Sequence, residues 1–256
     1  MRDLFDLHGH NVLITGGGRG LGKAMAVGMA ERGANIAIVD IDLDLAKQAA
    51  KEIESLGVKT LAIRADVTRT EDANGAVAEV VRGLGGLDVL VNNAGIAIQG
   101  AAEEVPISEF KRIYEIDVFG VVNFSKAAFR HMAARKHGSI INISSIAGMI
   151  VVTPQKQASY NSAKAAVILL TKSLAVEWAP YGIRVNAIAP GYMMTPPLEK
   201  MKAEDPDRWK YWMGRIPMQR VGQPPELQGA AIYLASDASS YVTGHTLVID
   251  GGMTAM

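Results

Sequence analysis

Seven short runs, apolar almost throughout, punctuate the chain, and longer helical patterns separate them. The runs are NVLIT (11–15), NIAIVD (35–40), VKTLAIRAD (58–66), LDVLVNNAG (87–95, strand then turn), GSIINISS (138–145), IRVNAIAP (183–190) and TLVID (246–250). A strand that is apolar on both faces must be covered on both faces, as in a parallel sheet with crossover helices. Residues 20–32, 42–56, 70–84, 108–135, 159–179 and 226–235 read as those helices. The expected fold is α/β, a single domain over residues 1–256 built on a doubly wound parallel sheet of about seven strands. No repeat, low-complexity tract or linker divides it. The segment 192–225 stands apart, with six of the ten prolines and two of the three tryptophans. It reads as an excursion outside the sheet, suited to a lid over a substrate.

Composition narrows the function. Lys+Arg and Asp+Glu both number 26, so no bulk charge exists to drive nucleic-acid or anionic-membrane binding. The absence of cysteine excludes disulfides, thiolate catalysis and Cys-ligated metal. The start, MRDLFDLHGHNVLITGG, lacks the basic-then-apolar layout of an export signal. No apolar run approaches the ~20 residues that span a bilayer. The expectation is a cytoplasmic protein that handles a small molecule, without nucleic acid, membrane or metal.

The first strand runs into TGGGRGLG (15–22) and then a helix, with Gly16, Gly20 and Gly22 spaced GxxxGxG. Residues without Cβ let backbone N–H groups and a helix N-terminus approach a pyrophosphate. A plain strand-to-helix turn has the same composition, so the motif needs its context. Asp40 ends the second strand 18 residues after Gly22, where a carboxylate can accept hydrogen bonds from ribose hydroxyls. It also repels a 2′-phosphate and so favours NAD over NADP. A turn or helix-cap role is its competing reading, although Asp42 is also placed to cap. Arg19 pulls the other way, since a cation in the glycine loop could hold that phosphate.

Tyr160 and Lys164 are four residues apart in SYNSAKAAVILL, a spacing that puts both on one helix face. By itself the spacing fits a surface pair equally well. The preceding strand ends in INISS, which brings Ser144 and Ser145 to the C-terminal sheet edge where open parallel sheets bind ligands. A free phenol, with a pKa near ~10, is a poor proton-transfer group at neutral pH, and a nearby ammonium favours its ionised form. A serine hydroxyl can hold a substrate oxygen while the phenol passes the proton. Hydride transfer between a nicotinamide and a carbonyl or alcohol fits this set and requires neither histidine nor metal.

The chain resembles the short-chain dehydrogenase/reductase family over nearly its whole length. The carriers are TGGGRGLG (15–22), Asp66, NNAG (92–95), Ser145, Tyr160 with Lys164, PG (190–191) and IDGG (249–252), in this order and at these distances. The resemblance implies a Rossmann-like fold and a homotetramer packed through the helices near 110–135 and 160–180. It implies that Ser145 holds the substrate oxygen, that Tyr160 is the proton donor and that Lys164 also touches the nicotinamide ribose. Gly16, Arg19, Gly20, Leu21, Gly22, Asp40, Asp66, Val67, Asn93, Ala94, Gly95, Pro190, Gly191 and Thr195 would line the cofactor, Asp66 at its adenine. Ser145 rather than Ser144 aligns with the family serine, and strand alternation points the two to opposite faces. One position departs from the pattern. EIDVFG carries Asp117 where the family has an asparagine that positions a water leading to the lysine. Unlike an amide, an ionised carboxylate cannot donate.

The Ser145–Tyr160 gap of 15 residues holds TPQ (153–155). With the WA pair (178–179) and WKYWMGRIPMQRVG (209–222), it is similar to sugar-alcohol and ketose reductases of that family, of the sorbose reductase, galactitol and mannitol dehydrogenase types. Gln155, and less so Gln99, could hydrogen-bond a polyhydroxy chain; a solvated loop amide is the alternative for each. The expected activity is hydride exchange with a sugar alcohol or ketose. Alternatives are a 3-oxoacyl-thioester reductase and a non-catalytic NAD-binding regulator.

Overall fold

The computed structural model describes residues 3–256; the first two residues of the expected domain lie outside that range. Seven strands form one sheet: β1 (Asn11–Thr15), β2 (Asn35–Asp40), β3 (Thr60–Arg64), β4 (Val89–Asn92), β5 (Gly138–Ile143), β6 (Ile183–Pro190) and β7 (Thr246–Ile249). Their order is β3-β2-β1-β4-β5-β6-β7, and every neighbouring pair is parallel. The chain therefore winds outward from β1, returns to β4 on the other side of β1, and winds outward again. That reversal opens a crevice beyond the C-terminal ends of β1 and β4, the standard ligand position in such a sheet.

The helices between strands are α1 (Gly20–Glu31), α2 (Leu43–Glu54), α3 (Thr70–Leu84), α4 (Ile107–Tyr114), α5 (Gly120–Arg135), α6 (Ala158–Trp178) and, before β7, α9 (Gln228–Ala235). Strand alternation supplies both faces. Val12 and Ile14 of β1 join the core under α1, α2 and α9, while Leu13 joins the core under α3, α5 and α6. The segment after β6 forms two further helices, α7 (Pro196–Glu204) and α8 (Pro206–Arg215), each opened by proline in its first turn. They pack through a smaller third core that includes Ile146, Val152 and Ile216, with Tyr160, Tyr192 and Trp209 against it.

Several element ends shift by one or two residues from the sequence expectation, and two departures are larger or bear on the site. The strand expected at 58–66 is shorter, since β3 spans only Thr60–Arg64. The helix expected over 108–135 is not regular. Glu115–Phe119 form a π-helical turn between α4 and α5, and Asp117 sits in it, fully buried. Such turns insert one extra residue and re-aim the side chains around it.

A polar chain crosses the core beneath the crevice. Asn92 Nδ2 donates to Ser125 Oγ (3.0 Å) and to Asn142 Oδ1 (2.9 Å), and Asn142 Nδ2 donates to Thr171 Oγ1 (2.9 Å). All four residues are buried, so these bonds fasten α5 and α6 to β4 and β5. Asn142→Leu strands a donor of Asn92 and removes the partner of Thr171. It is expected to lower the unfolding free energy by about 1–3 kcal/mol, measured by denaturant titration. An unchanged midpoint would show that the chain adds nothing to stability.

Candidate active site

The glycine turn is shaped as a cradle. Gly16 and Gly20 have φ of +60° and +58°, in the left-handed region that disfavours side chains. A Cβ on Gly22 would lie 2.4 Å from the Gly16 carbonyl oxygen, whereas one on Gly20 would point into open space. Thr15, which sequence reasoning did not single out, holds the turn from beneath. Its buried hydroxyl accepts from the Asn93 and Ala94 N–H groups at 3.0 and 3.1 Å. Asn93 Nδ2 returns bonds to the carbonyls of Thr15 and Gly16 at 3.0 and 2.9 Å. The signal for Thr15 was its place as the last β1 residue, one step before the first motif glycine.

Gly16, Arg19, Leu21, Asp40, Asp66, Val67, Asn93, Ala94 and Gly95 all border one cleft of about 400 Å3. Asp40 does local work there as well. Its Oδ2 accepts from Gly18 N–H and its Oδ1 from Asp42 N–H, both at 3.1 Å. The cap of α2 belongs to Asp42, which accepts from Asp44 and Leu45 N–H. The Arg19 side chain is exposed and makes no hydrogen bond or ion pair among the described residues. Asp66 uses Oδ1 to accept from the Thr68 backbone and hydroxyl. A glycine cradle that a Cβ would fill, ending in a carboxylate beside an open cleft, fits a dinucleotide.

Leu21, Asn93, Gly95 and Ile96 also border a second cleft of about 220 Å3, which holds Asp117, Ser145, Tyr160, Lys164, Pro190 and Gly191. The two serines separate by role. Ser144 Oγ is buried and donates to the Lys164 carbonyl at 2.8 Å, tying β5 to α6. Ser145 Oγ accepts from Ala147 N–H at 3.1 Å, and its proton is uncommitted among the described residues. Helical spacing brings Lys164 Nζ to 5.6 Å from the centre of the Tyr160 ring. The ammonium also donates to the Ile143 carbonyl at 3.1 Å.

Asp117 stands closer to Lys164 than the resemblance implies. A water-linked relay was the expectation, but Oδ2 lies 3.0 Å from Lys164 Nζ as a direct ion pair, with side chains 0% and 6% exposed. The π-helical turn aims Asp117 inward. Its Oδ1 accepts from Ile96 N–H at 2.8 Å, and Gly95 leaves the room, since a Cβ there would meet Oδ2 at 2.9 Å. Burial is the strongest influence on the lysine and pulls its pKa down. Asp117, then Tyr160, outweigh it, so the net direction is upward from 10.5.

Gly20 and Gly22 are in the glycine turn but not among the residues lining either cleft, and two expected side chains lie elsewhere. Gln155 does not line the cleft around Ser145 and Tyr160. Its Nε2 donates to Tyr192 Oη (2.8 Å) and its Oε1 accepts from Trp212 Nε1 (3.2 Å), because the α8 indole packs down on the 153–155 loop. Thr195 is the N-cap residue of α7 and is likewise not among the cleft residues. Gln99 Oε1 accepts from the guanidinium of Arg208 on α8 at 3.4 Å. No helix among the described residues is long and apolar enough to cross a membrane.

Residues 16–254 match a family model described as enoyl-(acyl carrier protein) reductase. The chain is 40% identical over 256 residues to the 5-keto-D-gluconate 5-reductase of Escherichia coli, covering 99% of this chain and 98% of that protein. It is 41% identical over 254 residues to the galactitol 2-dehydrogenase (L-tagatose-forming) of Cereibacter sphaeroides, covering 99% and 98%. The crystal structure of a gluconate 5-dehydrogenase from Burkholderia cenocepacia in complex with NADP and tartrate superposes with a TM-score of 0.93 at 38% identity, covering 99% and 98%. Whole-length matches of this kind, on a chain whose glycine cradle and Ser–Tyr–Lys cleft adjoin, fix its affiliation: the chain belongs to the short-chain dehydrogenase/reductase family of nicotinamide-dependent oxidoreductases.

Proposed function

We propose that the chain interconverts a sugar alcohol and a ketose, or a closely related hydroxylated secondary alcohol and ketone, with NAD preferred over NADP. The observation that carries the reaction is the convergence of Ser145, Tyr160 and Lys164 in one cleft that continues into the glycine cradle. The sugar assignment is supported by the keto-gluconate and galactitol enzymes among the relatives.

The glycine turn, Asp40, Asp66 with Val67, and Asn93 to Gly95 would hold the dinucleotide, and Pro190, Gly191 and Lys164 its nicotinamide end. When bound, that ring supplies or takes up the hydride. Ser145 directs its free proton at the substrate oxygen, and Tyr160 donates to that oxygen in reduction or takes its proton in oxidation. Lys164 keeps a positive charge beside Tyr160 and is itself held by Asp117. The segment from Met193 to Val221 acts as a lid, fastened to the 153–155 loop by the Tyr211–Thr153 hydroxyl contact (2.7 Å) and by Trp212. Amide exchange in α7 and α8 is expected to slow when a ketose joins the enzyme–cofactor complex. Exchange as slow as in β4 and β5 before substrate would contradict a lid. Leu169 and Val176, exposed on α6, support packing of copies through that helix into the tetramer.

The cofactor preference rests on Asp40, which lines the ribose side of the cleft and repels a 2′-phosphate. The unpartnered Arg19 supports the opposite reading. Asp40→Asn keeps an oxygen for Gly18 N–H while removing the charge. It is expected to reduce the NAD over NADP ratio of kcat/KM by about tenfold or more. A wild type that prefers NADP would transfer the deciding role to Arg19.

A further inference from the structure

We propose that Tyr192 is a specificity residue, a phenolic donor held ready for a hydroxyl or carboxylate oxygen on the part of the substrate away from the reacting carbon. This rests on the hydroxylated-ketone reading above and specifies how those hydroxyls are recognised. The argument is one of proton direction. The Trp212 indole N–H lies 3.2 Å from both the Thr153 carbonyl and a Gln155 side-chain atom. An indole N–H can only donate, and an amide NH2 turned toward it would set donor against donor, so that Gln155 atom is the carbonyl oxygen. The other end of that amide, 2.8 Å from Tyr192 Oη, is then the NH2 group, which can only donate. Tyr192 Oη therefore accepts, and its own hydrogen must go elsewhere. No described residue receives it.

Position makes that hydrogen useful. Tyr192 directly follows Pro190 and Gly191, which border the cleft of Tyr160, and itself borders a separate cavity of about 110 Å3 with Met193 and Met218. Tyr160 and Tyr192 pack against the same small core, which includes Ile146 and Ala147 just after Ser145. The Tyr192 ring is stacked on Trp212, with centroids 4.1 Å apart and planes 22° from parallel. With α8 seated on the 153–155 loop, as in this structure, stacking fixes the ring and the Trp212–Gln155 relay fixes the lone pair that is used, so lid closure orients the O–H. Burial pushes the phenol up to about 12, which keeps it a donor at neutral pH. Gln155 thus orients the donor and does not itself contact substrate.

The test compares kcat/KM for four- to six-carbon ketoses with that for unhydroxylated ketones of equal length, in wild type, Tyr192→Phe and Gln155→Glu. Tyr192→Phe keeps the stacked ring and removes only the donor. The preference for the hydroxylated substrate is expected to fall about tenfold, through KM more than kcat. Gln155→Glu should act in the same direction. A carboxylate at that position still accepts from Trp212 but cannot donate, so it captures the Tyr192 proton. Thermal unfolding of both variants within a few degrees of wild type would exclude a folding defect. A wild-type preference that survives Tyr192→Phe overturns the role of Tyr192 and leaves the sugar reading standing. A wild type that turns over plain ketones without favouring hydroxylated ones, or turns over neither, overturns both.

Discussion

Tyr160→Phe is expected to lower kcat by about 10²–10⁴-fold while leaving dinucleotide affinity close to wild type. The substitution removes one oxygen and keeps the ring against Ile146 and its neighbours, so packing survives. General acid–base groups contribute on that scale. On the proposed mechanism Ser145 cannot take over, because its proton is directed at the same substrate oxygen. Lys164→Ala should differ in kind. It removes the charge next to Tyr160, the bond to the Ile143 carbonyl and the partner of Asp117, so turnover, cofactor affinity and stability should fall together. Rapid kinetics with fluorescence titration of reduced cofactor separates the two patterns. A Tyr160→Phe enzyme that keeps most of its kcat would remove the phenol from the chemistry.

Asp117 carries the second large effect. Breaking a buried ion pair by deleting one partner leaves an uncompensated charge and typically costs about 3–5 kcal/mol. Asp117→Ala should fall in that range, since it also removes the acceptor of Ile96 N–H. Asp117→Asn keeps an oxygen and nearly the same shape, and should cost about 1–3 kcal/mol while remaining active with a displaced alkaline or acidic limb in its pH profile. The sign with pH distinguishes the pair from a packing effect. In wild type the folded-state pKa of Lys164 is raised. Its contribution is therefore complete below the ordinary lysine value of 10.5 and is lost as pH rises through the higher folded value. Without Asp117, burial dominates and the folded-state pKa drops, so the folded variant gains by releasing the proton. The stability gap between wild type and Asp117→Asn should thus narrow as pH rises from neutrality through 10.5. A gap constant over that range would mean that Asp117 acts through shape alone.

The sheet was legible because its signal is long and redundant. Seven apolar runs, each covered on both faces, admit few arrangements, and the glycine motif locates the first crossover. The Tyr160–Lys164 pair was legible because helical geometry converts a spacing of four into proximity. What escaped depended on single-residue insertions and on tertiary packing. The π-helical turn at Glu115–Phe119 has no compositional signature, yet it brings the Asp117 carboxylate into contact with Lys164 without an intervening water. Gln155 was read as a polar side chain facing the substrate because its partners lie 37 and 57 residues away in sequence. Only the folding of α8 onto the 153–155 loop shows that its amide is already used. Thr15 was hidden by its position at the end of an otherwise apolar strand. Asp40 illustrates a third case, in which two readings coexist. It supports the glycine loop through Gly18 and is also among the residues that border the cleft.

The most direct test of the reaction is to follow reduced nicotinamide during incubation of wild type and Tyr160→Phe with four- to six-carbon ketoses, and the reverse reaction with the matching polyols, using NAD and NADP forms in parallel. The expected result is reversible, cofactor-dependent turnover of a hydroxylated ketone by wild type, faster with the NAD pair, and its loss by about 10²-fold or more in Tyr160→Phe. Tight dinucleotide binding with no turnover of any ketose, polyol or simple secondary alcohol would contradict the account.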